Sequence, residues 1–436
     1  MNDLHHIVVV GGGAGGLELV TRLGDKLGKR RKARVTLIDS SLTHVWKPLL
    51  HEVASGSLDA SANEINHRAH ARKHHYEFRL GRLHGLDRKA KELIVAPFYD
   101  DDRIEVVPER RIGYDSLVIA VGSTANDFGT PGAQEHCLFL DSLKQARRFH
   151  TLLLNAFMRK NHQFAQGEQF PLNINIVGAG ATGVELAAEL RHASRELPVY
   201  GMKHLNASDV TINVIEAAGR ILPALPERLS DAATRELNRQ QIQVHTGQPV
   251  SRVQERSVTL KDGTELLSDM TIWAAGIKAP VFLAGLDGLE VNRSNQLVVK
   301  QTLQTTLDSD IFALGDCAAC PRPGHEHSVP PRAQAAHQQA DTLFKTLRNR
   351  LGNGEAVPFI YRDYGSLINF SRYTAVGNLM GSLNGQGMYI EGKVARLFYI
   401  SLYRMHQVAL HGLLRTGVIW LLDNINRAMQ PRLKLH

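Results

Sequence analysis

Two sets of glycines recur at one spacing. Gly11, Gly13 and Gly16 fit G-x-G-x-x-G within GGGAGG, and Gly178, Gly180 and Gly183 fit it again within GAGATG. The chemistry this spacing serves is the cradling of a pyrophosphate. The first glycine turns the chain tightly, the second lets phosphate approach the backbone, and the third lets helix pack closely on strand. The N-terminus of that helix supplies amide donors and partial positive charge. Each copy is followed by an acid that closes a second apolar run: Asp39 ends ARVTLID (33–39) and Glu216 ends VTINVIE (210–216). A carboxylate there accepts hydrogen bonds from ribose hydroxyls. With strand, glycine turn, helix and acid-ended strand all present twice, two dinucleotide sites are predicted. If one holds FAD and the other NAD(P)H, the chain carries electrons from nicotinamide to flavin. Glu216 would repel a 2′-phosphate and so favours NADH, although Arg220, four residues on, is a cation that such a phosphate could meet.

The elements that must carry these residues are legible from period and punctuation. The all-apolar run Ile7–Val10 suits a parallel strand buried on both faces, and a helix follows over Ala14–Leu27. SLVIAVG (116–122) reads as a strand ending in a turn at Gly122, and DSLKQARRFHTLLLNAF (141–157) as a helix capped by Asp141 or Ser142. The polar stretch Arg159–Gln169 reads as a linker. Beyond it, Asn173–Val177 is a strand, Thr182–Ala193 a helix, and TIWAAG (271–276) a strand turning at Gly276. LDSDIFALGD (307–316) is a buried strand ending on Gly315 and Asp316, and a helix runs from Pro330 and Pro331 to Leu351. The chain is therefore α/β, with an internal repeat of two Rossmann-like dinucleotide-binding domains, the second inserted into the first. The expected boundaries are 1–165, 166–295, 296–352 for the return to the first domain, and 353–436 for a C-terminal region.

Composition limits the partners. Of 436 residues, 43% are hydrophobic and 22% charged, which excludes a disordered chain. The net charge of +8 suggests an anionic partner: nucleic acid, a nucleotide or an anionic membrane surface. Three cysteines, Cys137, Cys317 and Cys320, are too few for a disulfide framework. The N-terminus lacks the pattern of a secretory signal, and no run reaches the ~18 uncharged apolar residues of a membrane span. Residues 393–436 hold seven Lys or Arg and one acid, Asp423, so +6 of the +8 lies there, interleaved with Leu, Ile, Phe, Tyr and Trp. That is the profile of helices lying in a membrane interface. Packing on the protein core, or against a second copy in a homodimer, are the alternatives.

These motifs, with HVWKPLLHEVASG (44–56), WAAGIKAP (273–280), FALGD (312–316) and AQAAHQQ (333–339), resemble those of the bacterial type II NADH:quinone oxidoreductases. These are non-proton-pumping flavoproteins with a glutathione-reductase-like fold of two dinucleotide-binding domains. The resemblance runs nearly end to end, and AQAAHQQ and the basic tail are its specific parts. It implies FAD in the first cradle, held at its adenosine diphosphate by Gly11, Gly13, Gly16 and Asp39. Asp316 would bind the ribityl hydroxyls, with Gly315 beside it, and Lys47, Gly122, Gly276 and Ala333 would line the cofactors. Read alone, Asp316 is also a candidate helix cap. Residues 1–165 and 296–352 are then the FAD domain, 166–295 the NADH domain, and 353–436 the membrane-association region.

The resemblance also implies the catalytic set. Gln334 and Gln338, four apart on one helix face, would lie beside the flavin in a quinone pocket, where amides can donate to quinone carbonyls. Glu185 would lie near nicotinamide, flavin and quinone. Its spacing alone gives it only the role of a carboxylate at a positive helix end, since Glu18 holds the equivalent place in the first repeat. Cys317 and Cys320 form C-x-x-C without a second pair, so no metal is expected. His67, His70 and His74, among Arg68, Arg72 and Lys73, read as a solvated basic face. The expected partners are NADH as substrate, a membrane quinone and the membrane surface, at the cytoplasmic face of the inner membrane; nucleic acid is not expected, since no recognised module is present. The rivals are a soluble NAD(P)H-dependent flavoprotein reductase and a basic redox-sensing flavoprotein. Residues 1–136 contain no cysteine, which argues against a disulfide reductase.

Overall fold

The apolar runs of the two repeats are the central strands of two parallel sheets. The computed structural model describes residues 4–370, 374–380 and 387–429. In chain order come β1 (His6–Val10), α1 (Ala14–Leu23), β2 (Arg34–Asp39), α2 (Leu50–Ser55), α3 (His67–Lys73), β3 (Glu77–Leu80) and β4 (Ser116–Ile119). There follow β5 (Cys137–Phe139), α4 (Leu143–Ala165), β6 (Leu172–Val177), α5 (Ala181–Glu196), β7 (Val210–Ile215), β8 (Gln243–His245) and β9 (Met270–Trp273). Last are β10 (Ile311–Ala313), α6 (Ala333–Arg350), β11 (Gly365–Phe370), β12 (Thr374–Met380), β13 (Gly387–Glu391), α7 (Gly392–His411) and α8 (Leu413–Met429).

The first unit comprises Met1–Trp46, Glu64–Thr124 and Ile277–Asp363. Its sheet has the order β10-β4-β1-β2-β3, all parallel. Ile7, Val8 and Val9 of β1 are completely buried, as a strand covered on both faces requires. The strand order turns back at β1, between β2 and β4, and the carboxyl ends of such strands are where ligands bind. A small antiparallel sheet of Leu83–Asp87, Glu92–Val95 and Arg110–Gly113 adjoins it in sequence.

The second unit comprises Lys47–Asn63, Ala125–Gly276 and Tyr364–His436. Its parallel sheet, β5-β9-β6-β7-β8, repeats the same arrangement, with the cradle strand β6 in the middle and the acid-ended strand β7 beside it. The short helix α2 packs on α4 and α5. The antiparallel sheet β11-β12-β13 supports α7.

Two boundaries and one expectation of exposure differ from the sequence reading. Helix α4 continues to Ala165, through most of the stretch read as a linker. A capping box between Ser142 and Gln145 fixes its start, and buried Phe149, Leu153 and Phe157 anchor it, so the polar residues beyond simply extend a formed helix. Helix α6 starts at Ala333, leaving both prolines outside, because Arg332 before it is extended. The third correction concerns His67, His70 and His74, which are buried rather than solvated. They share one face of α3 and pack inward, while Arg68, Arg72 and Lys73 occupy the exposed face. His70 bonds Tyr76 Oη through Nδ1 at 2.9 Å, and His74 Nδ1 lies 3.1 Å from the Asp25 carboxylate.

Candidate active site

The two cradles are built alike. Gly11 and Gly178 both have φ of +103°, and a side chain at either would strike the neighbouring strand end, at Ala120 or Ala275. Gly13 and Gly180 face open space and begin α1 and α5 without any side-chain cap, so each first helical turn offers its amides to a phosphate. In the first cradle Asp39 accepts from Gly12 N at 2.5 Å and Ser41 N at 2.7 Å. In the second, Glu216 accepts from Ala179 N at 2.8 Å and Ala218 N at 2.9 Å. Each carboxylate is thus braced by two backbone amides, with lone pairs left for ribose hydroxyls. Arg220 donates to the carbonyls of Leu222 and Pro223, at 3.4 and 2.9 Å, and so is held by its own turn.

Asp316 follows β10 within the 3₁₀ turn Gly315–Cys317, whose cap is Leu314, so Asp316 is not the cap. Its Oδ2 accepts from Ser123 Oγ at 2.8 Å, and its carbonyl accepts from Gln296 Nε2 at 2.9 Å. The Gly315 amide donates to Oε1 of buried Gln339 at 2.7 Å. Sequence reasoning passed over Gln339, although it is the last residue of AQAAHQQ. Gly122, with φ of +70°, borders open space beyond β4. In the second unit, Lys47 Nζ lies 3.3 Å from Asp141 Oδ1, and Gly276 sits against the Phe128 ring.

Helix α6 brings Gln334 and Gln338 to its first turns, directly after Ala333. Gln334 Nε2 donates to Asp363 Oδ1 at 3.3 Å, and Arg332 meets the same carboxylate at 3.3 Å. Gln338 pairs in both directions with the Arg362 backbone, donating to its carbonyl at 2.8 Å and accepting from its amide at 2.9 Å. Between them, His337 Nδ1 lies 2.5 Å from Oε2 of buried Glu18.

Glu185, in the first turns of α5, is buried, and burial pushes its carboxyl up to about 8. Its Oε1 accepts from Asn369 N at 2.9 Å. His51 of α2 lies 3.8 Å from Oε2, and burial pushes that imidazole down to about 4. The helix end therefore does not decide Glu185's state; desolvation does. Glu189, one turn on, accepts from Ser57 Oγ at 2.5 Å. Sequence reasoning missed His51, although it lies within HVWKPLLHEVASG.

Cys317 and Cys320 are free and buried, and burial pushes both thiols up to about 12. Neither is a thiolate at neutral pH. Among the described residues no group of three or more His, Cys, Asp or Glu could hold a metal ion.

Residues 5–340 match the pyridine nucleotide-disulphide oxidoreductase family. A type II NADH:quinone oxidoreductase of Haemophilus influenzae is 45% identical, over 99% of this chain and 100% of the relative. One from Staphylococcus aureus is 28% identical, over 87% of this chain and 90% of its own. The fold matches that of NDH2 from Plasmodium falciparum in complex with NADH, with a TM-score of 0.82 at 20% identity, covering 99% of this chain and 100% of that one. The duplicated cradle, the AQAAHQQ helix and this full-length likeness agree: the chain belongs to the pyridine nucleotide-disulphide oxidoreductase family and, within it, to the type II NADH:quinone oxidoreductases.

Proposed function

We propose that the chain is a monotopic flavoenzyme that oxidises NADH and passes two electrons through FAD to a membrane quinone, without pumping protons. The observation that carries this reading is one chain with two equivalent, amide-braced dinucleotide cradles and a separate helix start bearing amide side chains. The first cradle fits FAD: Gly13 leaves room for a pyrophosphate, α1 is uncapped, and Asp39 is fixed for the ribose. Gly11 and Gly16 complete its adenosine diphosphate site, and Asp316, Gly315 and Gly122 serve the ribityl and flavin end. Lys47, Gly276 and Ala333 add further cofactor contacts. When bound, FAD supplies a two-electron acceptor for NADH and a two-electron donor for quinone.

The residues of the chain orient, select and hold protons. Gly178, Gly180, Gly183 and Glu216 bind NADH, and Glu216 disfavours a 2′-phosphate. Gln334 and Gln338 donate amide hydrogens to the quinone carbonyls; Gln338 keeps one N–H beyond its pair with Arg362. Glu185 is largely protonated at neutral pH and is a store for one of the two protons that quinol formation takes up.

The tail has two parts. Helix α7 belongs to the fold: Leu410 and His406 are buried, and Tyr403 Oη donates to Asn63 Oδ1 at 3.0 Å. Helix α8 exposes Leu413 (78%), Leu414 (90%), Val418, Trp420, Leu421, Leu422 and Ile425. Among the described residues no helix is long and apolar enough to cross a membrane. We assign α8 to the lipid interface at the cytoplasmic face of the inner membrane, with a second copy of the chain as the competing cover. Steady-state oxidation of NADH and NADPH by flavin-loaded protein, with and without a short-chain quinone, tests the reading. Quinone-dependent oxidation of NADH supports it. Oxidation that quinone does not accelerate identifies a soluble reductase instead.

A further inference from the structure

Glu185 is buried, so a proton stored on it has to arrive from solvent through other groups. The proposed reaction requires such an arrival. NADH, quinone and one proton give NAD+ and quinol, so one hydrogen of the quinol comes with the hydride and the other comes from water.

Within the second unit, the imidazole of His51 stands between two carboxyls. Its Nδ1 lies 3.8 Å from Oε2 of Glu185, and its Nε2 lies 4.0 Å from Oε1 of Glu52. His51 and Glu185 are buried, whereas the Glu52 side chain is 19% exposed. The three form a row from a buried carboxyl to one that solvent reaches, with a different ring nitrogen facing each. Each gap is about 1 Å longer than a hydrogen bond, and a small turn of a glutamate side chain closes it. Nε2 of His51 is buried without a hydrogen-bond partner. Buried polar atoms are nearly always paired, so an open nitrogen turned toward a carboxyl at the solvent edge calls for a role.

The surroundings set the direction of travel. Burial disfavours the imidazolium form of His51 and favours the protonated form of Glu185, so a proton passes through the ring rather than lodging on it. The other titratable groups packed around the row have contacts of their own. Glu189 on α5 accepts from Ser57 Oγ, His150 Nδ1 on α4 lies 3.3 Å from the Ala54 carbonyl oxygen, and Lys47 meets Asp141. The Pro48 carbonyl accepts from the His51 ring.

We propose that His51 relays protons from Glu52 to Glu185, reloading Glu185 after it has given its proton to the quinol. The ring takes a proton at Nε2 as it gives up the one on Nδ1 to Oε2 of Glu185. One N–H bond forms while the other breaks, and the imidazole is neutral before and after. Glu52 recovers its proton from water, and a turn of the ring before the next cycle returns the N–H to the Glu185 side. The relay rests on the reading that Glu185 stores a proton for quinol formation.

Hydrogen–deuterium exchange of the Glu185 carboxyl, followed in the infrared after mixing resting holoenzyme into D2O, tests the relay without turnover. The band is the protonated carboxyl C=O stretch that Glu185→Gln removes. If Glu185→Gln removes no such band, Glu185 is not a store and the relay falls with it. With the band assigned, His51→Asn and Glu52→Gln should each slow its exchange by about a hundredfold, the order of a lost proton-transfer group. Wild-type exchange in either variant overturns the relay and leaves Glu185 as a store filled by another route. In stopped-flow, flavin reoxidation by quinone in His51→Asn should slow and show a larger solvent isotope effect than the wild type, because proton arrival then limits it. Slowing with an unchanged isotope effect marks a packing defect and overturns the relay. If His51→Asn does not fold, Glu52→Gln, altered at the solvent edge, decides by the same two measurements.

Discussion

Nδ1 of His51 lies 3.8 Å from Oε2 of Glu185, and the same burial drives both side chains toward their neutral forms. At neutral pH the contact is therefore between an uncharged imidazole and a largely protonated carboxyl, not an ion pair. Other charges face it too. Glu52 lies 4.0 Å from His51 Nε2, and Glu52 and Glu189 both raise Glu185 further.

This pair sets opposed pH dependences. The carboxyl of Glu185 moves from 4.5 to about 8 on folding, so its stabilising contribution is full below pH 4.5 and is lost as pH rises through 8. His51 moves from 6.5 to about 4, so its contribution is full above pH 6.5 and is lost as pH falls through 4. The slopes oppose each other between pH 4.5 and 6.5, and only that of Glu185 remains between 6.5 and 8. Denaturant unfolding at matched pH should show Glu185→Gln flattening the upper range, by up to about 1.4 kcal/mol per pH unit. His51→Asn should uncover the fall in the lower range. An unchanged profile in Glu185→Gln would show that the carboxyl is ionised in the fold.

Nucleotide selectivity should follow Glu216. Its carboxylate is braced by Ala179 and Ala218, and Arg220 is turned onto the Leu222 and Pro223 carbonyls. NADH should be preferred over NADPH, and Glu216→Gln should narrow the preference by roughly tenfold or more in kcat/KM, since repulsion of the 2′-phosphate is removed. Comparable efficiency of wild-type protein with both donors would mean that Arg220 leaves its turn to meet the phosphate.

The cradles were legible in the sequence because they are backbone requirements written as glycine spacing. What stayed hidden depends on packing between distant segments. His51 meets Glu185 only because α2 packs on α5, and nothing local in HVWKPLLHEVASG marks that contact. The charge around the histidines of α3 suggests a solvated face, whereas their spacing puts them on one buried face with the cations opposite. The pairing of Gln338 with Arg362 joins two stretches whose approach no local pattern announces. The tail reads as one segment by composition, and only burial separates α7 from α8.

Gln334 and Gln338 should separate kinetically. Gln334 faces the Asp363 carboxylate by a long 3.3 Å bond, whereas Gln338 is locked to the Arg362 backbone by two shorter ones. Gln334→Leu should leave flavin reduction by NADH near normal in stopped-flow and slow flavin reoxidation by quinone by roughly tenfold, the order of one lost hydrogen bond. Gln338→Leu should do the same and also lower the melting temperature, because the Arg362 backbone groups lose their partner. Equal slowing of both half-reactions in Gln334→Leu would make it a flavin-positioning residue.

Membrane attachment should reside in α8 rather than in the whole basic tail. Removing residues from Lys393 onward would strip α7 from the sheet it packs on and take away the buried His406 and Leu410, so the informative truncation ends at Gly412. The deleted stretch, 413–436, holds four Lys or Arg and one acid. Near anionic lipid each surface cation contributes about 1 kcal/mol, which is screened by salt, while the exposed Leu413, Leu414, Trp420 and Leu421 contribute a salt-insensitive part. Full-length protein should therefore sediment with anionic vesicles and release only partly at high salt. The truncated protein should stay in the supernatant, keep its FAD, and oxidise NADH with a water-soluble quinone at near wild-type rates, yet act poorly on long-chain quinone in vesicles. If truncation leaves vesicle binding intact but halves the mass in solution, α8 is a dimer contact and the membrane assignment fails.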